Sequence, residues 1–354
     1  MIRQWKKLLA VFSALLLMTG CTPVKTQIAY TVYPVGFLVE RLTGNPSRAV
    51  SVQQDMIIQR AQLKENYAEI LSDSAVFFYV GQLEPYRSVY AAEINAACSS
   101  QLDLSAMNAV YDFERYMPVY AGDDVTYVES RYYNDPAMDS IDTDVKDLYL
   151  WTDPIAMLSM AKDIRDWLLS AYPEDKETIE DNFQKLETDL INLDAQYQAL
   201  ATANQHDKKE IKFVSMTASF GNWQKTYGFQ VYPVILSKYG VLPNAQQLAV
   251  IEKRIQDDGV RYIVYEPNMT ADMTVLFNQI EDDLGLTRVE LSNLSSLTAA
   301  EDNSGKDYLS IMYENLSVLE TMREPRQTAA PAVTAEPAEE PEESPDPEAT
   351  EAPE

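Results

Sequence analysis

The side chains best suited to metal binding, nucleophilic attack and proton transfer are few: one histidine, His206, and two cysteines, Cys21 and Cys98, in 354 residues. Two cysteines cannot build a disulfide framework, and one imidazole excludes any site made from several. His206 falls in the polar connector Asn204-Gln-His-Asp-Lys-Lys209 and reads as solvated, while Cys98 reads as a small buried hydrophobe. No nucleophile paired with a base, no glycine-rich phosphate loop and no paired-carboxylate motif stands in a suitable context, so an enzyme is not expected. Carboxylates are the one abundant chemical resource. Fifty-five acids stand against 28 bases, a formal charge of -27, and such a surface repels a polyanion, which excludes a nucleic-acid binder.

That charge is unevenly placed. Arg3, Lys6 and Lys7 precede the apolar run Leu8 to Met18, which is too short to span a bilayer and reads as a secretory signal over residues 1–20. Its end, Leu17-Met-Thr-Gly-Cys21, resembles a bacterial lipobox, which makes Cys21 the expected lipid attachment point of an extracytoplasmic protein, followed by a short linker at 21–26. At the other end, Gln327 to Glu354 holds nine acids, six prolines, no base and no aromatic residue. Such a segment buries too little apolar surface to offset its ordering entropy, so 324–354 is expected to be a disordered acidic tail. Setting aside the leader's three bases and the tail's nine acids leaves the body near -21, acidic in its own right.

The elements that must position any site alternate between strand and helix. Gln27 to Tyr33, Ala49 to Val52 and Ala75 to Val80 read as strands; a helix opened by Pro34 stops at Gly44, and Ala61 to Leu71 reads as another. Asp112 to Asp147, with ten acids, three bases and five tyrosines, shows no period and reads as a surface excursion. Asp153-Pro154 caps and opens a helix to Ala171. Ile179, Phe183, Leu186, Leu190, Leu193, Tyr197 and Leu200 then fall at alternating spacings of four and three, one apolar stripe on a helix of about 45 Å. The alternation resumes with strands Glu210 to Met216, Phe229 to Ile235 and Val260 to Tyr265. Between and after them come helices Phe220 to Tyr227, Ala245 to Asp258, Thr270 to Leu284 and Tyr308 to Met322. The expected fold is α/β: two lobes, 27–172 and 206–323, joined by a long rigid backbone helix at 173–205.

Several short motifs occur in a telling order: the lipobox, Thr31-Val-Tyr-Pro34, Gly81-Gln-Leu-Glu84, Trp151-Thr-Asp-Pro154 and the long helix. Phe220-Gly221 with Tyr227-Gly228, Tyr265-Glu-Pro267 and Tyr308-Leu-Ser-Ile-Met-Tyr-Glu-Asn315 follow. Together they resemble the solute-binding lipoproteins of zinc and manganese ABC importers, over nearly all of Gln27 to Met322. The resemblance implies a metal held between the lobes by three histidines and a carboxylate. Carried over by position, the histidines fall on Gln59, Tyr149 and Thr217, and only the carboxylate keeps its type, as Glu266. An amide, a phenol and a hydroxyl are poor zinc donors, so a degenerate site is expected, holding Zn²⁺ or Mn²⁺ weakly through Glu266 or taking a small polar or cationic solute instead. Thr217 and Glu266 each lie at the carboxyl end of an expected strand, where open α/β sheets bind ligands.

The resemblance further implies a monomer anchored by lipid to the outer face of the bacterial cytoplasmic membrane, serving a permease and an ATPase on separate chains. A second reading is a scaffold or adhesion lipoprotein that keeps the fold without transport.

Overall fold

A computed structural model describes residues 25–54, 57–122 and 124–326. The leader, Cys21 and the segment 327–354 lie outside the described residues.

The first lobe is built on a parallel sheet in the order β2-β1-β3-β4: β1 Gln27–Tyr30, β2 Ala49–Ser51, β3 Ser74–Tyr79 and β4 Gln101–Asp103. Strand β1 ends earlier than expected because Pro34 sits in the first turn of the helix Tyr33–Thr43. That helix stops where Gly44 takes the left-handed conformation (φ 64°) and returns its N–H to the Glu40 carbonyl. The helix expected from Ala61 begins only at Tyr67 and runs to Asp73. Residues 62–64 are instead drawn into backbone pairing with 52–54, which competes with helix formation. Short helices Tyr86–Val89 and Ala91–Ala97, like β4, carried no clear sequence signal.

The stretch expected to be an irregular excursion contains an antiparallel hairpin, β5 Arg115–Ala121 and β6 Asp124–Ser130. Its exposure alternates with period two, but its polarity does not. Tyr116, Pro118, Tyr120, Val125 and Tyr127 turn inward while Met117, Val119 and Val128 face outward, so both faces are apolar and the usual strand signature is erased. Tyr120, Pro118 and Tyr127 lie over Gly228 of the second lobe.

The helix Pro154–Ala171 begins as expected, with the Asp153 carboxylate accepting from the N–H groups of Ile155 and Ala156. A single turn at Pro173–Asp175 leads into the 31-residue helix Lys176–His206. All seven residues of its stripe are buried, and they join an apolar core drawn from both lobes, including Val76 and Phe78 of the first and Phe213 and Trp223 of the second. Such a helix, sharing one core with both lobes, restrains how they move apart.

The second lobe starts with β7 Lys209–Glu210 and repeats the parallel plan in the order β11-β10-β8-β9: β8 Lys212–Thr217, β9 Gln230–Ile235, β10 Tyr262–Tyr265 and β11 Thr287–Glu290. Its helices keep their expected punctuation. Asn244 forms a capping box with Gln247 ahead of Ala245–Asp257, and Gly228 and Gly285 end Asn222–Tyr227 and Ala271–Leu284 in left-handed conformations. After the closing helix Tyr308–Thr321, β12 Glu324–Pro325 pairs antiparallel with β7. Sheet pairing therefore extends into the segment assigned to the tail from residue 324. No described helix is long and apolar enough to cross a membrane.

Candidate functional site

Strands β8 and β10 are parallel neighbours with Val264 opposite Ser215, a register that carries Thr217 and Glu266 to the same sheet edge. There the Glu266 carboxylate accepts from the Thr217 N–H (2.8 Å) and the Thr217 hydroxyl (2.5 Å). It also accepts from the amide of Asn293 (2.7 Å), which follows β11. From the first lobe, Gln59 sits in the single turn Ile58–Arg60 and donates through Nε2 to the Tyr149 hydroxyl at 2.8 Å. Tyr149 enters the turn Leu150–Thr152, its N–H held by the Asp147 carboxylate at 3.1 Å. Ser219 lies between the two pairs: its hydroxyl sits tight against that of Thr217 and close to the Tyr149 phenol.

The structure thus brings Gln59, Tyr149, Thr217 and Glu266 together, although they are far apart in sequence. The order is Gln59, Tyr149, Ser219, Thr217, Glu266. Gln59 Nε2 donates to the phenol, and the Thr217 N–H and hydroxyl donate to the Glu266 carboxylate, which only accepts. Exposure is 8% at Gln59, 5% at Tyr149 and nil at Thr217 and Glu266, so the circuit is withdrawn from solvent. Burial raises the Glu266 carboxyl above its ordinary range, partly offset by the bonds from Thr217 and Asn293. Burial likewise holds the Tyr149 phenol neutral and pushes Asp147 up to about 7.

Nearby ties hold the lobes in register. The Arg60 guanidinium donates to the Gly240 carbonyl at 2.8 Å and pairs with Asp272 at 2.8 Å. Trp151 Nε1 donates to the Asn293 carbonyl, and Tyr308 to the Trp151 carbonyl. Gly221 is required by close approach: a Cβ there would lie 2.2 Å from Asp147 Oδ2.

Ser219 and Asn293 escaped the sequence reading. Ser219 stands two residues from Thr217, a spacing that returns an extended chain to the same side. Asn293 lies in Ser292-Asn-Leu-Ser-Ser296, a polar run whose preceding strand β11 was not recognised.

His206 is outside the site, at the end of the long helix, exposed and paired with Asp207 at 3.0 Å. Cys98 is buried in the first lobe, and burial raises its thiol pKa. Among the described residues no group of three or more His, Cys, Asp or Glu comes together to hold a metal ion. One carboxylate with an amide, a phenol and a hydroxyl, each already engaged, does not fit tetrahedral zinc.

A family model for the periplasmic zinc-uptake complex component A, ZnuA, matches residues 28–322. The chain belongs to this family. Its members are solute-binding components of transporters, not enzymes. Among curated relatives, the zinc-binding protein AdcA of Streptococcus pyogenes is 30% identical over 177 residues, 49% of this chain and 32% of that protein. The high-affinity zinc uptake system protein ZnuA of Bacillus subtilis is 26% identical over 174 residues, 49% of this chain and 52% of that one. The aligned region thus spans about a third to a half of the length of these relatives. The crystal structure of the Zn(II)-bound ZnuA-like domain of Streptococcus pneumoniae AdcA superposes with a TM-score of 0.61 at 20% identity, covering 86% of this chain and all of that domain. Streptococcus pneumoniae AdcAII gives 0.64 at 19% identity, over 85% of this chain and all of that one. These likenesses show the two-lobed fold.

Proposed function

We propose that this ZnuA-family member is the extracytoplasmic substrate-binding lipoprotein of a metal-type ABC importer, and that its family metal position no longer holds Zn²⁺ or Mn²⁺ tightly. In this reading residues 1–20 are a leader, Cys21 carries the lipid that anchors a monomer to the outer face of the cytoplasmic membrane, and a permease and an ATPase are separate chains. The observation that carries it is the convergence of the four family positions between the lobes, with Gln59 bonded to Tyr149 and Thr217 bonded to Glu266. A ligand entering there must break bonds that are already satisfied, and each buried polar group left unpaired costs about 1–3 kcal/mol.

Calorimetry with Zn²⁺ and Mn²⁺ tests it, comparing the wild type with the triple variant Gln59→His, Tyr149→His, Thr217→His, in which Glu266 completes an N₃O set. The variant is expected to bind Zn²⁺ at least about a thousandfold more tightly, roughly 4 kcal/mol. Nanomolar Zn²⁺ binding by the wild type would overturn the reading of the site, and no gain in the variant would count against these positions as a ligand set. The same self-satisfied circuit favours a second reading, a scaffold or adhesion lipoprotein that keeps the fold without transport; co-purification with a permease separates the two.

A further inference from the structure

The described chain leaves off at Arg326, in the middle of a basic patch on the second lobe. Strand β12 pairs with β7 so that Pro325 lies opposite Lys209, and the Arg326 N–H donates to the Lys208 carbonyl at 2.8 Å. Around this two-stranded sheet Arg323 meets Asp207 at 2.7 Å, Arg261 meets Glu324 at 3.3 Å and Lys212 meets Glu210 at 2.8 Å. Those pairs engage every acid so joined. Lys208 and Lys209 have no side-chain partner among the described residues. The Arg326 guanidinium lies 3.5 Å over the Tyr120 ring, and its Nε is shut from solvent without an acceptor among the described residues. Six bases against three acids leave three positive charges on a body near -21.

The next residues along the chain are the acidic segment. Its first acid, Glu336, stands ten positions past Arg326, and residues 336–343 carry five glutamates and no base. A spacer of that length has an r.m.s. span of about 18 Å, which holds the run beside the patch at an effective concentration on the order of 1 mM. Repulsion by the rest of the body does not prevent contact, because charges more than about 8 Å apart are largely screened at physiological salt. The same asymmetry creates a hazard between molecules. A basic patch on an acidic body matches the surface of the next copy, and a head-to-tail contact of that kind need not close on itself. At micromolar protein the tethered run has about a thousandfold concentration advantage over another copy.

We propose that residues 336–343 fold back onto Lys208, Lys209 and Arg326 as their counter-charge, and that this tethered contact keeps the protein from associating through the patch. The contact is a set of exchanging surface ion pairs, individually weak and screened by salt, so it leaves the melting temperature almost unmoved. It is independent of the ligand chemistry of the cleft and rests on the proposed function only for the monomer, to which it gives a cause.

The test compares three proteins, each taken without lipid from residue 22: the mature chain, its truncation after Arg326, and the mature chain carrying Glu336→Gln, Glu339→Gln, Glu340→Gln, Glu342→Gln and Glu343→Gln. Lysines are reductively methylated with ¹³C, which keeps their charge, and the two signals of interest are assigned with Lys208→Ala and Lys209→Ala. In about 20 mM NaCl those signals are expected to differ between the mature chain and the other two, and the difference to vanish in about 0.5 M NaCl, where screening is nearly complete. Sedimentation velocity at low salt is expected to find the mature chain monomeric and the other two associating as concentration rises, an association lost on adding Lys208→Ala and Lys209→Ala. Identical lysine signals in all three proteins, or a truncated chain that stays monomeric, overturns the proposal. So does a signal difference that grows with protein concentration, which would mean that the segment reaches a second copy. A mature chain that associates regardless of the lysine changes, with the signal differences intact, overturns the monomer alone.

Discussion

Replacing Glu84 by glutamine should stabilise the protein at alkaline pH and do almost nothing in acid. Glu84 is 1% exposed, neither oxygen has a hydrogen-bond partner, and burial pushes its carboxyl up to about 7 from an ordinary 4.5. Below about pH 4.5 the side chain is protonated folded and unfolded alike. Between 4.5 and 7 the folded state holds a proton that the unfolded chain has lost, and above 7 the folded state carries a desolvated charge at full cost. Stability contributed at this site is therefore lost as pH rises through that window. At roughly 1.4 kcal/mol for each tenfold change in proton affinity, the ionised group costs on the order of 3 kcal/mol at pH 8. Glutamine is nearly isosteric and cannot ionise. It also withdraws the counter-charge from Arg87, so a net gain of about 1–2 kcal/mol is expected. Urea denaturation followed by circular dichroism at pH 4.5, 6 and 8 measures it, and the difference between the two proteins isolates Glu84 from every other titrating group. A difference that does not vary with pH, or a variant less stable at pH 8, would refute the argument.

Gly221→Ala should cost about 1–3 kcal/mol in the same assay, because its Cβ meets Asp147 Oδ2 at 2.2 Å, and the added change Asp147→Ala should recover part of that loss if the clash is the cause. Cys21→Ser should release the protein from membranes or leave it unprocessed; mass spectrometry finding an unlipidated N-terminus downstream of residue 21 would sink the anchoring proposal. Truncation after Arg326 should leave the melting temperature within about two degrees, since a segment of that composition makes few contacts, and a large fall would show that it docks on the body.

What the sequence by itself determined is the local framework, because local chemistry suffices for it. The stripe from Ile179 to Leu200 specifies a long helix whatever it packs against. Gly44, Gly228 and Gly285 end helices by accepting positive φ, and Asp153 and Asn244 begin them by satisfying free N–H groups. The motif order located four of the site's residues, though only as positions inherited from a family. Tertiary structure decided the rest. The hairpin Arg115 to Ser130 is apolar on both faces, so it becomes a strand pair only when its tyrosines find Gly228. The three residues of β4 and the four of β11 are too few to show a period and exist through pairing with β3 and β10. The site itself was decided in the same way. Whether Gln59, Tyr149 and Thr217 await a ligand or satisfy one another depends on Ser219 and Asn293 reaching the same few ångströms, and a hydrogen bond of 2.8 Å between residues ninety positions apart leaves no trace in the pattern along the chain.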